Sequence, residues 1–242
     1  MSCLVEKLSY YVDLSAREDA LLRQMEEAVE AYKKREIILK PGEASDHVYV
    51  VRKGWVVNYT ELPSGGRLIL NIHMPGDLIG GSTLPFKQSV CGLMAASATE
   101  LCPFPKAGVK EVLRESAKLS ALLFAMAMQE NVVLIDRMKA IGRMEGPDRL
   151  LLLLLQLWAR LKVTDRHMIN DFDLPLSQEI IADALGITTV YTNKMLKQLQ
   201  EDMLIMRKDK RITLLRIDEM KERCGFEDRY YELDTSWYPQ PD

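Results

Sequence analysis

The chain has 242 residues, of which 48% are hydrophobic and 28% charged, and its formal net charge is −3 at pH 7. Such a chain can bury one large or two medium cores and is ordinary for a globular protein. The charge excludes a chain-wide basic character, so any nucleic-acid contact needs a local basic surface.

The N-terminus carries no secretory apolar core, because Glu6, Lys7, Asp13 and Arg17 interrupt it. The longest apolar run, Leu150 to Leu155 continuing through Leu157, Trp158 and Ala159, is about half a bilayer span and reads as a buried helix. A cytoplasmic protein without a membrane segment is expected. The four cysteines, Cys3, Cys91, Cys102 and Cys224, form no C-x-x-C pair and read as reduced thiols that pack as small hydrophobes.

Leu14 to Lys34 is predicted helical. Ser15 and Glu18 have capping-box spacing, and Leu21, Leu22, Met25, Ala28 and Val29 form the apolar stripe. From Glu36 to Phe104 the period shortens. Ile37-Ile38-Leu39, Val48-Tyr49-Val50-Val51, Trp55-Val56-Val57 and Leu68-Ile69-Leu70 are short β-type runs. They are separated by turn signals at Pro41-Gly42, Lys53-Gly54, Pro63-Ser64-Gly65-Gly66 and Pro75-Gly76-Asp77. Close spacing of such strands predicts an antiparallel roll.

Lys106 to Arg143 is predicted as a long helix, broken or bent between Ser116 and Ser120. Leu119, Leu122, Met126 and Val133 form one apolar stripe; Phe124, Met128, Asn131, Ile135 and Met138 form a second. A helix apolar on two faces needs two partners, here the roll and a second copy of the chain, with Asn131 setting register at the seam. Gly142, Gly146 and Pro147 mark a hinge, and Arg149 to Lys162 is the next helix.

Leu174 to Ile205 reads as two short helices around a glycine turn. Ser177 caps the first, with Ile181, Ala182 and Leu185 as its stripe, and Gly186 ends it. Thr188 or Thr189 caps the second, whose inner face carries Val190, Met195, Leu196 and Leu199. Two helices so joined are the helix-turn-helix pattern, with the second helix lying in a DNA major groove. The expected outer face holds Thr189, Tyr191, Thr192, Asn193, Lys194, Lys197 and Gln198, hydroxyls, amides and cations suited to base edges and phosphates. Met203-Leu204-Ile205 and Ile212 to Leu215 then read as two strands joined by the turn Arg207-Lys208-Asp209-Lys210-Arg211, a wing. Asp218 is expected to cap a last helix that ends at Gly225.

Gly186-Ile187-Thr188-Thr189-Val190-Tyr191-Thr192-Asn193-Lys194-Met195-Leu196 resembles the recognition segment of the CRP/FNR family of bacterial transcription regulators, in the branch whose segment runs G-L-T-x-V-H-V-N-R. Pro41-Gly42-Glu43, Val48 to Gly54 and Pro75 to Gly80 resemble that family's cyclic-nucleotide-binding roll, and Phe226 to Leu233 resembles the branch's tail. The resemblance implies an α+β protein of three parts. Residues 1–106 would be a sensory β-roll with an N-terminal helix, 107–145 the long dimerisation helix and hinge, and 146–242 a winged helix-turn-helix with a C-terminal tail. It also implies a homodimer on a palindromic operator, with RNA polymerase as a further partner. The DNA-contacting set expected from residues and resemblance together is Ser177, Gln178, Thr188, Thr189, Tyr191, Thr192, Asn193, Lys194, Lys197, Lys208, Lys210 and Arg211.

The sequence departs from the family at its ligand sites. Where cyclic-AMP-binding members place a glutamate and an Arg-Ser or Arg-Thr pair, this chain has Gly81 and Ser89-Val90. A buried cyclic phosphate without a cation is costly, so cyclic AMP is not the expected effector. Haem, another family ligand, would have His73 or His47 as candidates, each standing alone. The N-terminal cysteine cluster of iron–sulfur-sensing relatives is reduced to Cys3. No cofactor is therefore expected and the effector is not specified. In the cyclic-AMP receptor an Arg-Glu pair and a later Arg read the DNA; the matching positions here are Thr189, Val190 and Lys194. The bidentate arginine fork is absent, Lys194 becomes the base reader, and Val190 either meets a thymine methyl or packs inward.

Two other classes fit the residues less well. A cyclic-nucleotide regulatory or interaction module without DNA binding would need the missing phosphate site and leaves Leu174 to Ile205 unexplained. A cupin-type enzyme would need clustered His and carboxylate ligands, which His47, His73 and His167 do not form.

Overall fold

A computed structural model of the chain describes residues 2–63, 65–230 and 233–239. Ser64 of the predicted turn, Tyr231 and Glu232 of the tail, and Asp242 lie outside the described residues.

The chain opens with helix α1 (Cys3–Leu8), which the sequence pattern did not reveal, and α2 (Ala16–Gln24). The capping box forms as expected, with the Ser15 hydroxyl accepting from Glu18 N and the Glu18 carboxylate accepting from Ser15 N. The expected helix to Lys34 does not. It stops at Gln24, and Glu30–Tyr32 becomes strand β1, paired with Thr99–Leu101. Strands β2 (Ile37–Leu39), β3 (His47–Lys53), β4 (Val56–Glu61), β5 (Arg67–His73), β6 (Leu78–Ile79), β7 (Gly92–Ala95) and β8 (Thr99–Pro105) complete the roll. One antiparallel sheet has the order β1-β8-β3-β6 and the other β2-β7-β4-β5. Between them lie Leu39, Val51, Val56, Ile79, Leu93 and Leu101.

The long helix breaks where expected. Helix α3 (Lys106–Glu115) ends at Ser116, whose extended backbone (φ −145°, ψ 114°) also starts α4 (Ala117–Arg143). The Ser116 hydroxyl accepts from Leu119 N and donates to Glu18 at 2.7 Å, so the break is tied to α2. The first stripe packs as predicted: Leu119, Leu122 and Val133 are buried. Arg137, also buried, reaches β5 and donates to the carbonyls of Ile69 (3.0 Å) and Leu70 (3.1 Å). Burial, with the charge of Arg160 adding to it, pulls its pKa down to about 10.

The second stripe stays on the surface. Phe124, Met128, Ile135 and Met138 are exposed, Met138 at 75%, and Asn131 lies among them. Helix α4 has the length and composition of a membrane span, but its exposed apolar residues lie along one side, and the opposite face packs against β5 and the following helix, Gly146–Thr164.

Helix α5 (Gly146–Thr164) buries Leu150 to Leu155 entirely. Each such leucine contributes about 1.5–3 kcal/mol of burial. Strand β9 (Asp171–Asp173) precedes α6 (Gln178–Leu185) and α7 (Thr189–Glu201); β10 (Ile205–Lys208), β11 (Arg211–Leu214) and α8 (Ile217–Cys224) follow. The wing is three-stranded, order β10-β11-β9, one strand more than the sequence suggested. Its turn is tighter than expected, since Lys208 and Arg211 pair across it and Asp209 takes the left-handed φ of 55°. Asp218 does not cap α8. The cap position is Arg216 and Asp218 sits in the first turn, where its charge meets the positive end of the helix dipole.

Candidate nucleic-acid interface

Local chemistry builds the two helices. The Ser177 hydroxyl accepts from Ile180 N at 3.3 Å and starts α6. Gly186 ends it at φ 67°, a conformation that costs a Cβ-bearing residue about 1 kcal/mol or more. Thr188 then caps α7, its hydroxyl accepting from Tyr191 N at 3.2 Å. Met195, Leu196 and Leu199 turn inward. Helix α7 rests on the start of α5 without clearance: a Cβ on Gly146 would lie 2.5 Å from Met195 Sδ and 2.6 Å from the Tyr191 ring.

The outward face of α7 holds Thr189, Val190, Asn193, Lys194, Lys197 and Gln198, all exposed, with Tyr191 at its edge. Two expectations are corrected. Val190 does not join the inner face; it is 81% exposed. Thr192 does not join the outer face; it is fully buried, and its hydroxyl donates to Thr188 O at 3.1 Å. The reason is helical phase. Thr192 precedes Met195 by three residues and Leu196 by four, so all three share the buried side. Its hydroxyl, satisfied within the helix, can be buried cheaply. Thr192 is therefore unavailable to DNA.

Ser177 and Gln178 are half-buried at the start of α6. In the wing, Lys208 and Lys210 are exposed. Arg211 is exposed too, but its Nε donates to Asp171 at 2.5 Å and its guanidinium also faces Asp173, so it is less available for a phosphate than the two lysines. Lys197 pairs with Glu201 at 3.5 Å, one turn on.

How the acidic residues of α6 are handled could not be read from the sequence. Glu179 pairs with Arg35 at 2.6 Å and with Arg67 at 3.4 Å, and Asp183 pairs with Arg67 Nε at 3.2 Å. Both arginines come from the roll. The negative charges nearest the turn are thus drawn toward the roll, leaving the outer face of α7 with the cations Lys194 and Lys197.

At Gly81, Ser89 and Val90, the positions that the resemblance gives to the partners of a cyclic nucleotide, none of the three side chains is a cation. Gly81 starts a short 3₁₀ turn (Gly81–Thr83) and offers no side chain. Ser89 is buried with its hydroxyl donating to the Cys91 carbonyl, and Val90 points to solvent. His47 is exposed on β3. His73 is buried, its Nδ1 3.6 Å from Glu130 and 3.7 Å from Asp77.

A two-sheet roll, a long helix with an open apolar stripe and a winged helix-turn-helix define a DNA-binding regulator with an attached sensor-type domain. Comparison with known proteins agrees. Residues 29–116 match the cyclic nucleotide-binding domain, and residues 148–223 match the Crp-like helix-turn-helix domain. The nitrogen fixation regulation protein FixK of Rhizobium meliloti is 28% identical over 201 residues, covering 81% of this chain and 87% of the relative. The regulatory protein HlyX of Actinobacillus pleuropneumoniae is 23% identical over 219 residues, covering 90% and 91%. The structure of FixK2 from Bradyrhizobium japonicum superposes with a TM-score of 0.71 over 81% of this chain and 96% of that one, at 24% identity. The chain belongs to the CRP/FNR family of transcription regulators.

Proposed function

We propose that this regulator acts as a homodimer that reads a palindromic operator through α7, and that cyclic AMP is not its effector. The observation that carries the reading is the uncovered outer face of α7, where Lys194 and Asn193 stand beside the exposed Val190. Lys194 donates to guanine O6 and N7, and Val190 meets a thymine methyl. Thr188, Thr189 and Tyr191 lie at the same end of the helix. Ser177, Gln178, Lys197, Lys208 and Lys210 face phosphates, with Arg211 a secondary contact. The parts divide as 1–106, 107–145 and 146–242. RNA polymerase is the further protein partner, and the cytoplasm the compartment, that this role requires.

Gel retention of a cognate duplex across a salt series tests the reading. Each lysine on a phosphate adds close to one unit to the slope of log affinity against log salt. Lys208→Ala is expected to weaken all sequences alike and to lower that slope by about one unit. Lys194→Ala should instead lower specific affinity by roughly 1–3 kcal/mol and relax the preference at one base pair per half-site. A Lys194→Ala protein that keeps the complete wild-type preference would remove this residue from base reading.

Calorimetry with cyclic AMP is expected to show no saturable binding at micromolar ligand, given Gly81, Ser89 and Val90 in the roll. A clear isotherm would overturn that part of the proposal.

A further inference from the structure

A cavity of about 430 Å³ lies outside the roll, a size that suits a small organic ligand. Leu78 lines it, whereas the next residue, Ile79, points between the two sheets. Neighbouring strand residues face opposite sides, so the cavity is on the far side of the sheet from the roll interior. Val109 and Leu113 of α3, Leu123 and Met126 of α4 and Val163 of α5 give it apolar walls.

One end is polar. Lys7 pairs with Asp77, and Arg160 donates to Asp77 at 2.9 Å, both cations almost wholly buried. Two cations thus share one carboxylate. Glu130 stands nearby with its side chain 41% exposed, and desolvation of its carboxyl shifts the pKa upward. The Tyr230 hydroxyl also lines the cavity; it is buried and has no hydrogen-bond partner among the described residues. The polar end therefore offers an unused donor and two cations that share the single carboxylate of Asp77. A polyphosphate or a nucleotide would need more cations, and a sugar would waste its hydroxyls on the apolar walls.

We propose that this cavity is the effector site and that it takes a small amphipathic monocarboxylic acid, its head toward Arg160, Lys7 and Tyr230 and its apolar body along α3 and α4. The effector role rests on the regulator reading above. Lys7, Asp77, Glu130 and Arg160 come from α1, the roll, α4 and α5, so occupancy bears on how the DNA-binding half sits against the rest of the chain.

Calorimetry on the full chain with octanoate and 3-phenylpropionate, with octan-1-ol as an uncharged control, tests this. At least one of the two acids should bind saturably, at least tenfold more tightly than the alcohol. Leu123→Trp, which fills the cavity, should weaken it at least tenfold. Gly81→Leu, at a lining position where a Cβ meets nothing within 4 Å, should do the same and guards against misfolding of the first variant. Gel retention of a cognate duplex by the same wild-type sample, with and without the acid, should differ at least threefold. No isotherm with either acid at millimolar concentration, equal binding of the alcohol, or unchanged binding in both variants would overturn the site. Binding without any change in DNA retention would overturn the effector role. DNA retention without an isotherm fails the cavity alone, whereas an isotherm without DNA retention fails the regulator reading.

Discussion

Ile135→Asp is expected to turn the protein from a dimer into a monomer. Ile135 is 56% exposed and sits in the stripe Phe124, Met128, Asn131, Ile135, Met138, spaced four, three, four and three residues apart. This alternation is the seam pattern of two helices wound together. Isolated apolar side chains on a surface are unremarkable, but a contiguous stripe along one helix marks an interaction face. The same helix is anchored from behind by Arg137 on two β5 carbonyls, so the stripe cannot simply roll inward. An aspartate at the seam would be desolvated in both copies with no cation opposite, which costs several kcal/mol. Sedimentation of the variant should report a monomer at concentrations where the wild type is a dimer. DNA binding should fall with it, since one subunit reaches only one half-site. A variant that stays dimeric with wild-type affinity would place the seam elsewhere.

Asp77→Ala is expected to cost about 3–5 kcal/mol of stability, the usual result of removing one member of a buried ionic cluster. Asp77 accepts from Met74 N at 2.9 Å and holds both Lys7 and Arg160, so the variant leaves two buried cations without their carboxylate. Urea unfolding of both proteins measures the difference; a loss under about 1 kcal/mol would show that the cluster is solvated and weak. The pH dependence has a definite sign. Burial alone would raise the Asp77 pKa, but the charges of Lys7 and Arg160, with His73, outweigh it and hold the carboxyl well below its usual range. The folded state therefore binds this proton more weakly than the unfolded chain. The stabilisation is complete above the unfolded value, about 3.9, and is lost as pH falls through the folded one. The advantage of wild type over Asp77→Ala should thus hold from neutral pH down to about 5 and shrink in stronger acid.

Features set by neighbours in sequence were legible there. The Ser15–Glu18 capping box, the break at Ser116, the Gly186 turn and the two stripes of α4 all depend on residues within one or two helical turns. Features set by distant partners were not. Leu14 to Lys34 keeps an apolar period, yet Glu30–Tyr32 leaves the helix because β8 offers a sheet edge some seventy positions away. Asp77 reads as part of a Pro-Gly turn until the fold brings Lys7 and Arg160 to it. In the candidate interface the exposed and buried sides of α7 were legible except at Val190 and Thr192, where the phase was off. Apolar character argued for burying the valine, whereas helical geometry buried the threonine and let Thr188 O satisfy its hydroxyl. The acidic pair on α6 was visible, but not that Arg35 and Arg67 of the roll would face it.

Selection of binding sites by the wild-type protein from a pool of randomised duplexes tests the central proposal most directly. A dimer reading DNA through two copies of α7 should enrich an inverted repeat whose half-site centres lie about 34–36 Å apart, one turn of the duplex. Lys194→Ala in the same selection should lose the preference at one position in each half. A pool that shows no enrichment, or that yields a single unpaired half-site or a direct repeat, would contradict a symmetric dimer that reads DNA through α7.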